Sequence, residues 1–117
     1  MGTFENAKMN IETSVQGHTA VVVLTGRMDA DHAARFEQAC AGLVDARHIV
    51  ADLTALTYVS SMGLRSFLAI AQARKAVGGE FVLVGLGGFV KQVFDLTRIT
   101  ALMRTAASVE GALEELR

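Results

Sequence analysis

The chain has 117 residues, 51% of them hydrophobic and 20% charged, and its 11 Lys and Arg against 12 Asp and Glu leave a formal charge of -1. That length suits one domain with a real core, the composition excludes a disordered chain, and the near-zero charge supplies no basic field for nucleic acid or an anionic membrane surface. The longest apolar runs, AVVVL and FVLVGLGGFV, fall well short of the roughly 20 residues that span a bilayer. MGTFENAKMN at the start has neither a basic region nor an apolar one, so a cytoplasmic protein without membrane insertion is expected. The single cysteine, Cys40, excludes an internal disulfide.

Weak alternation over residues 9–14 and the β-branched run HTAVVVLTG, with Gln16 and Gly17 between them, predict a hairpin of strands 8–14 and 19–25. From Asp31, a residue type that caps helices, Ala33, Phe36, Cys40, Leu43 and Val44 recur near helical spacing. Arg35, Glu37, Gln38 and Asp45 take the other side, which predicts an amphipathic helix over 31–45. HIVADLT, 48–54, is a short apolar run of the kind buried on both faces of a sheet, and it ends in ALTYVSSMG. After Gly63, Leu64, Phe67, Leu68, Ala71 and Lys75 follow the helical period while Arg65, Gln72 and Arg74 can face water, until Gly78 and Gly79 stop the helix. EFVLVGL is another buried strand, and Val90, Val93 and Phe94 mark a short third helix. ALMRT is a short edge strand, and Val109, Ala112, Leu113 and Leu116 make an amphipathic helix after Ser108. The order ββαβαβαβα predicts an α/β fold with a mostly parallel sheet, right-handed crossovers and helices packed on it.

His18, His32 and His48 share no metal-ligand spacing, so surface and loop positions are expected and no metal or other cofactor. Cys40 lies on the apolar stripe of the first helix and reads as a packed core thiol. GLGG, 85–88, follows a strand and precedes a helix, as a phosphate-cradling loop would. It lacks the full G-x-G-x-x-G and the lysine of a P-loop, and glycines that let the chain turn explain it more simply.

TYVSSMGLRSF, 57–67, carries the sharpest question. A serine on a strand-to-helix turn is the geometry of a hydrolase elbow, but that elbow reads G-x-S-x-G, whereas Tyr58 and Val59 precede Ser60 and Ser61. Every histidine also lies before residue 49, so no later Asp-then-His pair exists and no enzyme is expected. A serine at a helix start has two other uses. Its hydroxyl can cap the free N–H groups of the first turn, and those groups with the helix dipole can stabilise a phosphate there.

Four stretches in order, LTGRMDADHA, DLTALTYVSSMGLRSFL, AVGGEFVLVGL and VKQVFDLTRITALM, resemble the STAS domain of bacterial anti-sigma factor antagonists. The resemblance spans residues 8–116 as a single domain and leaves 1–7 as a short tail. It implies a five-stranded, mostly parallel sheet flanked by four helices, and a partner switch without catalysis by the domain. The unphosphorylated antagonist binds a serine-kinase anti-sigma factor, a histidine-kinase-like ATPase, and relieves its inhibition; phosphorylation releases the antagonist and a PP2C-type phosphatase resets it.

Gly63 and Leu64 set the register of that resemblance, so the phosphorylated serine falls on Ser61, the usual Asp on Ser60 and the next hydroxyl residue on Met62. Asp29 matches an acidic residue near the acceptor, and Arg27 stands where Glu is common. The implied partner surface is Asp29, Val59, Ser60, Ser61, Met62, Gly63 and Arg65. With Ser60 in place of a carboxylate, Ser60 becomes a candidate secondary acceptor. One alternative remains, a STAS subunit that is never phosphorylated and serves a transporter ATPase or a signalling scaffold. There Ser61 only caps, and apolar residues around Val59, Met62 and Leu86 form a permanent interface. Nucleotide binding or hydrolysis by the chain itself lacks a P-loop and a paired acid and base.

Overall fold

Strand β3 (His48–Val59) is the central strand of a five-stranded sheet whose spatial order follows the chain order. The computed structural model describes residues 9–117. β1 (Asn10–Gln16) pairs antiparallel with β2 (Thr19–Met28) across the turn at Gly17 and His18. β2, β3, β4 (Phe81–Val84) and β5 (Arg104–Ala106) then run parallel to one another. Parallel neighbours need crossovers longer than a tight turn, and each of these carries a helix. They are α1 (Ala30–Ala41), α2 (Ser61–Ala76) and α3 (Gly88–Thr97), the last followed by a 3₁₀ turn (Ile99–Leu102), and α4 (Val109–Glu115) closes the chain. The expected α/β order and mostly parallel sheet are therefore present.

Alternation along the central strands sorts side chains to two cores. Ala20, Val22, Leu24, Ile49, Ala51, Leu53, Phe81 and Leu83 join the larger one, with Phe36 of α1, Phe67 of α2 and Phe94 of α3. Their neighbours Val21, Val50, Val82 and Val84 face the other side, where α4 covers them with Ala112, Val109, Leu113 and Leu116. This is why β3 and β4 begin as unbroken apolar runs: both faces are covered. β1 lies outside that cover, and all its residues except Ile11 are exposed.

Several boundaries differ from expectation. β2 and β3 continue past 25 and 54, because the ladder runs on through two irregularities to Met28 opposite Val59, so ALTYV is strand and not loop. α1 starts one residue before Asp31 and stops at Ala41, since the cap is Asp29 and the chain turns at Gly42. Leu43 still packs on the core, but Val44 is 79% exposed. β4 is shorter than EFVLVGL, and the edge strand falls on Arg104–Ala106 because residues 99–102 coil into the 3₁₀ turn. Arg74 is only half-exposed: its Nη1 donates to the Ala46 carbonyl (2.6 Å) and its Nε is buried. The expected tail 1–7 and the start of the first strand at Lys8 lie outside the described residues.

Phe67 joins α2 to the rest of the larger core. Its ring meets those of Phe36 (4.9 Å), Phe94 (5.3 Å) and Phe81 (6.0 Å), one from each neighbouring element. Phe67→Ala is expected to cost about 3–5 kcal/mol. Urea unfolding checks this, and a loss below about 1 kcal/mol would contradict it.

Candidate functional site

The β2–β3 ladder ends where two helices begin. Beyond the Met28–Val59 pair, the Ser60 N–H donates to the Met28 carbonyl (2.9 Å), so Asp29 and Ser61 follow directly from a bonded pair of residues. Each strand turns at once into a helix. Ser60 is the N-cap of α2: its backbone is extended (φ -87°, ψ 172°), its Oγ accepts the Gly63 N–H (3.1 Å), and its carbonyl accepts the Leu64 N–H (3.0 Å). Asp29 caps α1 in the same way through Oδ1, which accepts the His32 N–H (3.0 Å). His32 Nδ1 lies 3.0 Å from both Asp29 Oδ1 and the Arg27 carbonyl. Both neighbours are acceptors, so that ring nitrogen carries a proton.

Gly63 makes this turn possible. A Cβ there would lie 2.7 Å from Val59 Cγ2 and 3.0 Å from Met28 Sδ, so a side chain would push α2 off the strand ends. With the cap supplied by Ser60, Ser61 becomes the first helical residue, with an exposed side chain. This corrects the expectation that Ser61 caps. The hydroxyl assigned to the carboxylate position satisfies the helix, and the neighbouring hydroxyl is left to solvent.

Of the other expected surface residues, Asp29 (57% exposed at its side chain), Met62 (46%) and Arg65 face solvent, whereas Val59 and Gly63 are buried. Val59 therefore supports the site from beneath and offers no side chain to a partner. The half-buried Leu86 packs on the core. A second feature adjoins the site. The guanidinium carbon of Arg27 sits 4.2 Å from the centre of the Tyr58 ring, and the Phe89 ring stacks on Tyr58 at 5.9 Å and 5°. Sequence reasoning missed Tyr58 and Phe89. The usable signal was the lone tyrosine of the chain at the end of a strand; its pairing with Phe89 comes from the fold.

The remaining candidates are structural. Gly85 adopts φ +78° and leaves no room for a side chain against Thr54, and Gly87 begins α3 without a side-chain cap, so GLGG serves as a turn. Among the described residues no group of three or more His, Cys, Asp or Glu could hold a metal, and no helix is long and apolar enough to cross a membrane. Cys40 is 3% exposed, and burial pushes its thiol pKa up to about 12.

Comparison with known proteins accords with this geometry. The STAS domain model matches residues 10–112. BtrV of Bordetella bronchiseptica, named among the anti-sigma factor antagonists, is 35% identical over 94 residues, which is 79% of this chain and 81% of that one. An anti-sigma factor antagonist from Mycobacterium paratuberculosis superposes with a TM-score of 0.84 at 23% identity, covering 95% of this chain and 96% of its own. SpoIIAA, an anti-sigma factor antagonist, superposes in its unphosphorylated form with a TM-score of 0.80 at 21% identity, covering 94% and 96% of the two chains. Its phosphorylated form from Bacillus gives 0.73 at 20% identity, covering 94% and 100%. This chain belongs to the STAS domain family.

The two serines should separate by stability. Ser60→Ala removes the cap and is expected to cost about 1 kcal/mol in urea unfolding, whereas Ser61→Ala should stay within about 0.5 kcal/mol of the parent. Equal losses would mean that the cap is shared. Cys40 offers a further check. Raising its pKa from 9.0 to about 12 lowers the thiolate fraction near neutral pH on the order of a thousandfold. A thiol reagent should therefore label native protein only as fast as the chain opens, and labelling at the rate of the unfolded chain would contradict the buried placement.

Proposed function

We propose that this protein is an anti-sigma factor antagonist working as a phosphorylation-controlled partner switch, with Ser61 as the acceptor. The observation that carries this reading is the division of labour between the serines. Ser60 spends its hydroxyl on the Gly63 N–H, and Ser61 presents an exposed hydroxyl on the first turn of α2. A phosphate at Ser61 would sit at the positive end of the helix dipole and remove no cap. SpoIIAA, a structural relative, has been solved with and without phosphate.

In this reading residues 8–116 act as one STAS domain in the cytoplasm, without catalysis of their own. The partner is a serine-kinase anti-sigma factor of the histidine-kinase-like ATPase class, which binds Asp29, Ser61, Met62 and Arg65 over the frame made by Val59, Ser60 and Gly63. An uncharged Ser61 hydroxyl can be buried there when hydrogen-bonded. The kinase transfers the γ-phosphoryl group of ATP to Ser61 Oγ, ADP and the hydroxyl proton leave, and about -1.5 to -2 charge units arrive on the first turn of α2. Burying that charge costs several kcal/mol, more than about 10³ in affinity, so the complex separates until a PP2C-type phosphatase hydrolyses the ester. Ser60, held in its cap, is the secondary candidate.

The test uses the cognate kinase. Incubation with kinase and ATP should add the mass of one phosphate, and Ser61→Ala should abolish it. Ser61→Ala should bind the kinase as the parent does and resist ATP-driven release, while Ser61→Asp should bind at least about tenfold more weakly. Equal affinity of the two variants would reject the switch.

A further inference from the structure

The end of the sheet opposite Ser61 carries a cavity of about 390 Å³ that the partner switch does not use. His18, Arg47, His48 and Arg117 line it together with the apolar Leu113 and Leu116. These residues come from the β1–β2 turn, from Arg47 and the first residue of β3, and from the end of α4 with the two residues after it.

The basic residues are held by backbone bonds. A single carbonyl, that of His18, accepts both the Arg47 N–H (2.7 Å) and the His48 N–H (3.1 Å), so three basic side chains leave one fixed point. Arg47 Nε donates to the Gly78 carbonyl (3.0 Å), and residue 79 must be glycine because a Cβ there would collide with the Arg47 carbonyl. Among the described residues Arg47 has no carboxylate within ion-pair distance. His48 Nδ1 accepts the Glu80 N–H (3.0 Å), so the neutral ring carries its proton on Nε2, as a donor. Burial first, and the Arg47 charge next, lower the His48 pKa and keep that ring neutral near neutral pH.

No Asp or Glu side chain lines the cavity, and three glutamates on adjoining elements are paired with arginines. Arg104 holds Glu80 (2.6 Å) and Glu115 (2.8 Å), and Arg117 holds Glu114 (3.2 Å). The walls therefore combine N–H donors and a guanidinium without a carboxylate partner with two leucines, in a volume within the range of small-molecule sites.

We propose that this cavity binds a small organic anion, a carboxylate or phosphate monoester with an apolar body, its head group at Arg47 and His48 and its body against Leu113 and Leu116. Charge-assisted bonds to the guanidinium fix the head, and the leucines select against fully hydrated inorganic anions.

Amide NMR of the whole chain, titrated separately with phenyl phosphate, benzoate, inorganic phosphate and benzylamine, tests this. At least one of the two organic anions should give saturable shifts confined to residues around His18, Arg47, His48 and Leu116, and the tighter of the two identifies the head group. Inorganic phosphate should bind at least about tenfold more weakly and benzylamine not at all. Arg47→Met should weaken the organic anion about tenfold or more, and Arg117→Ala, at an exposed position, severalfold. A bound anion favours the charged imidazolium, so it should raise the His48 pKa against the lowering by Arg47, His18 and Arg104 and in the same sense as Glu80. Shifts that do not saturate, shifts centred on the start of α2, comparable binding of inorganic phosphate or benzylamine, or unchanged affinity in both variants would overturn the proposal.

Discussion

The hydrogen bond from the Ser60 N–H to the Met28 carbonyl holds the site together. It is the last rung between β2 and β3, and both strands pass into helices within two residues of it. Two helix N-termini thereby lie side by side, each with unpaired N–H groups and a partial positive charge. The fold can keep them adjacent because each has its own cap, Asp29 on α1 and Ser60 on α2. Gly63 supplies the clearance, since a side chain there would meet both Val59 and Met28.

From that arrangement follows an asymmetry between the isolated protein and a complex. Asp29 already places a carboxylate over α1, and the start of α2 holds only a neutral hydroxyl. In the proposed switch a phosphate on Ser61 stays in water and against a helix dipole while the protein is alone. It becomes unfavourable only when a partner displaces that water. The free energy of release then comes from desolvation at the interface, and the protein's own packing can remain as it is. Arg27 over the Tyr58 ring, with Phe89 stacked on the same tyrosine, gives this surface an aromatic edge.

Much of the fold was legible in the residues. AVVVL, HIV and FVLV are apolar without a break because Val21, Val50 and Val82 meet α4 while Val22, Ile49 and Leu83 meet the larger core, and period and turn residues located the helices. Boundaries were less legible where tertiary pairing overrides local preference. The exposed Thr54, Ala55 and Thr57 break the apolar run, yet β3 continues because the extended end of β2 offers its ladder. The start of α2 was legible to within one residue. Ser60 and Ser61 are equivalent in the sequence, and only the backbone turn at Ser60 decides which hydroxyl caps. Arg74 shows the same limit, since a helical wheel cannot see the Ala46 carbonyl that draws it inward.

The strands lie in space in the order in which they occur in the chain. Every strand after the first therefore finds its neighbour already made, and none has to be inserted between two others. This order permits the sheet to grow by one-way addition from a local hairpin, with low loop-closure entropy at each step. For a chain emerging from the ribosome, the ladder that ends at Ser60 can close before β4 and β5 exist, and the later strands extend the sheet without disturbing it.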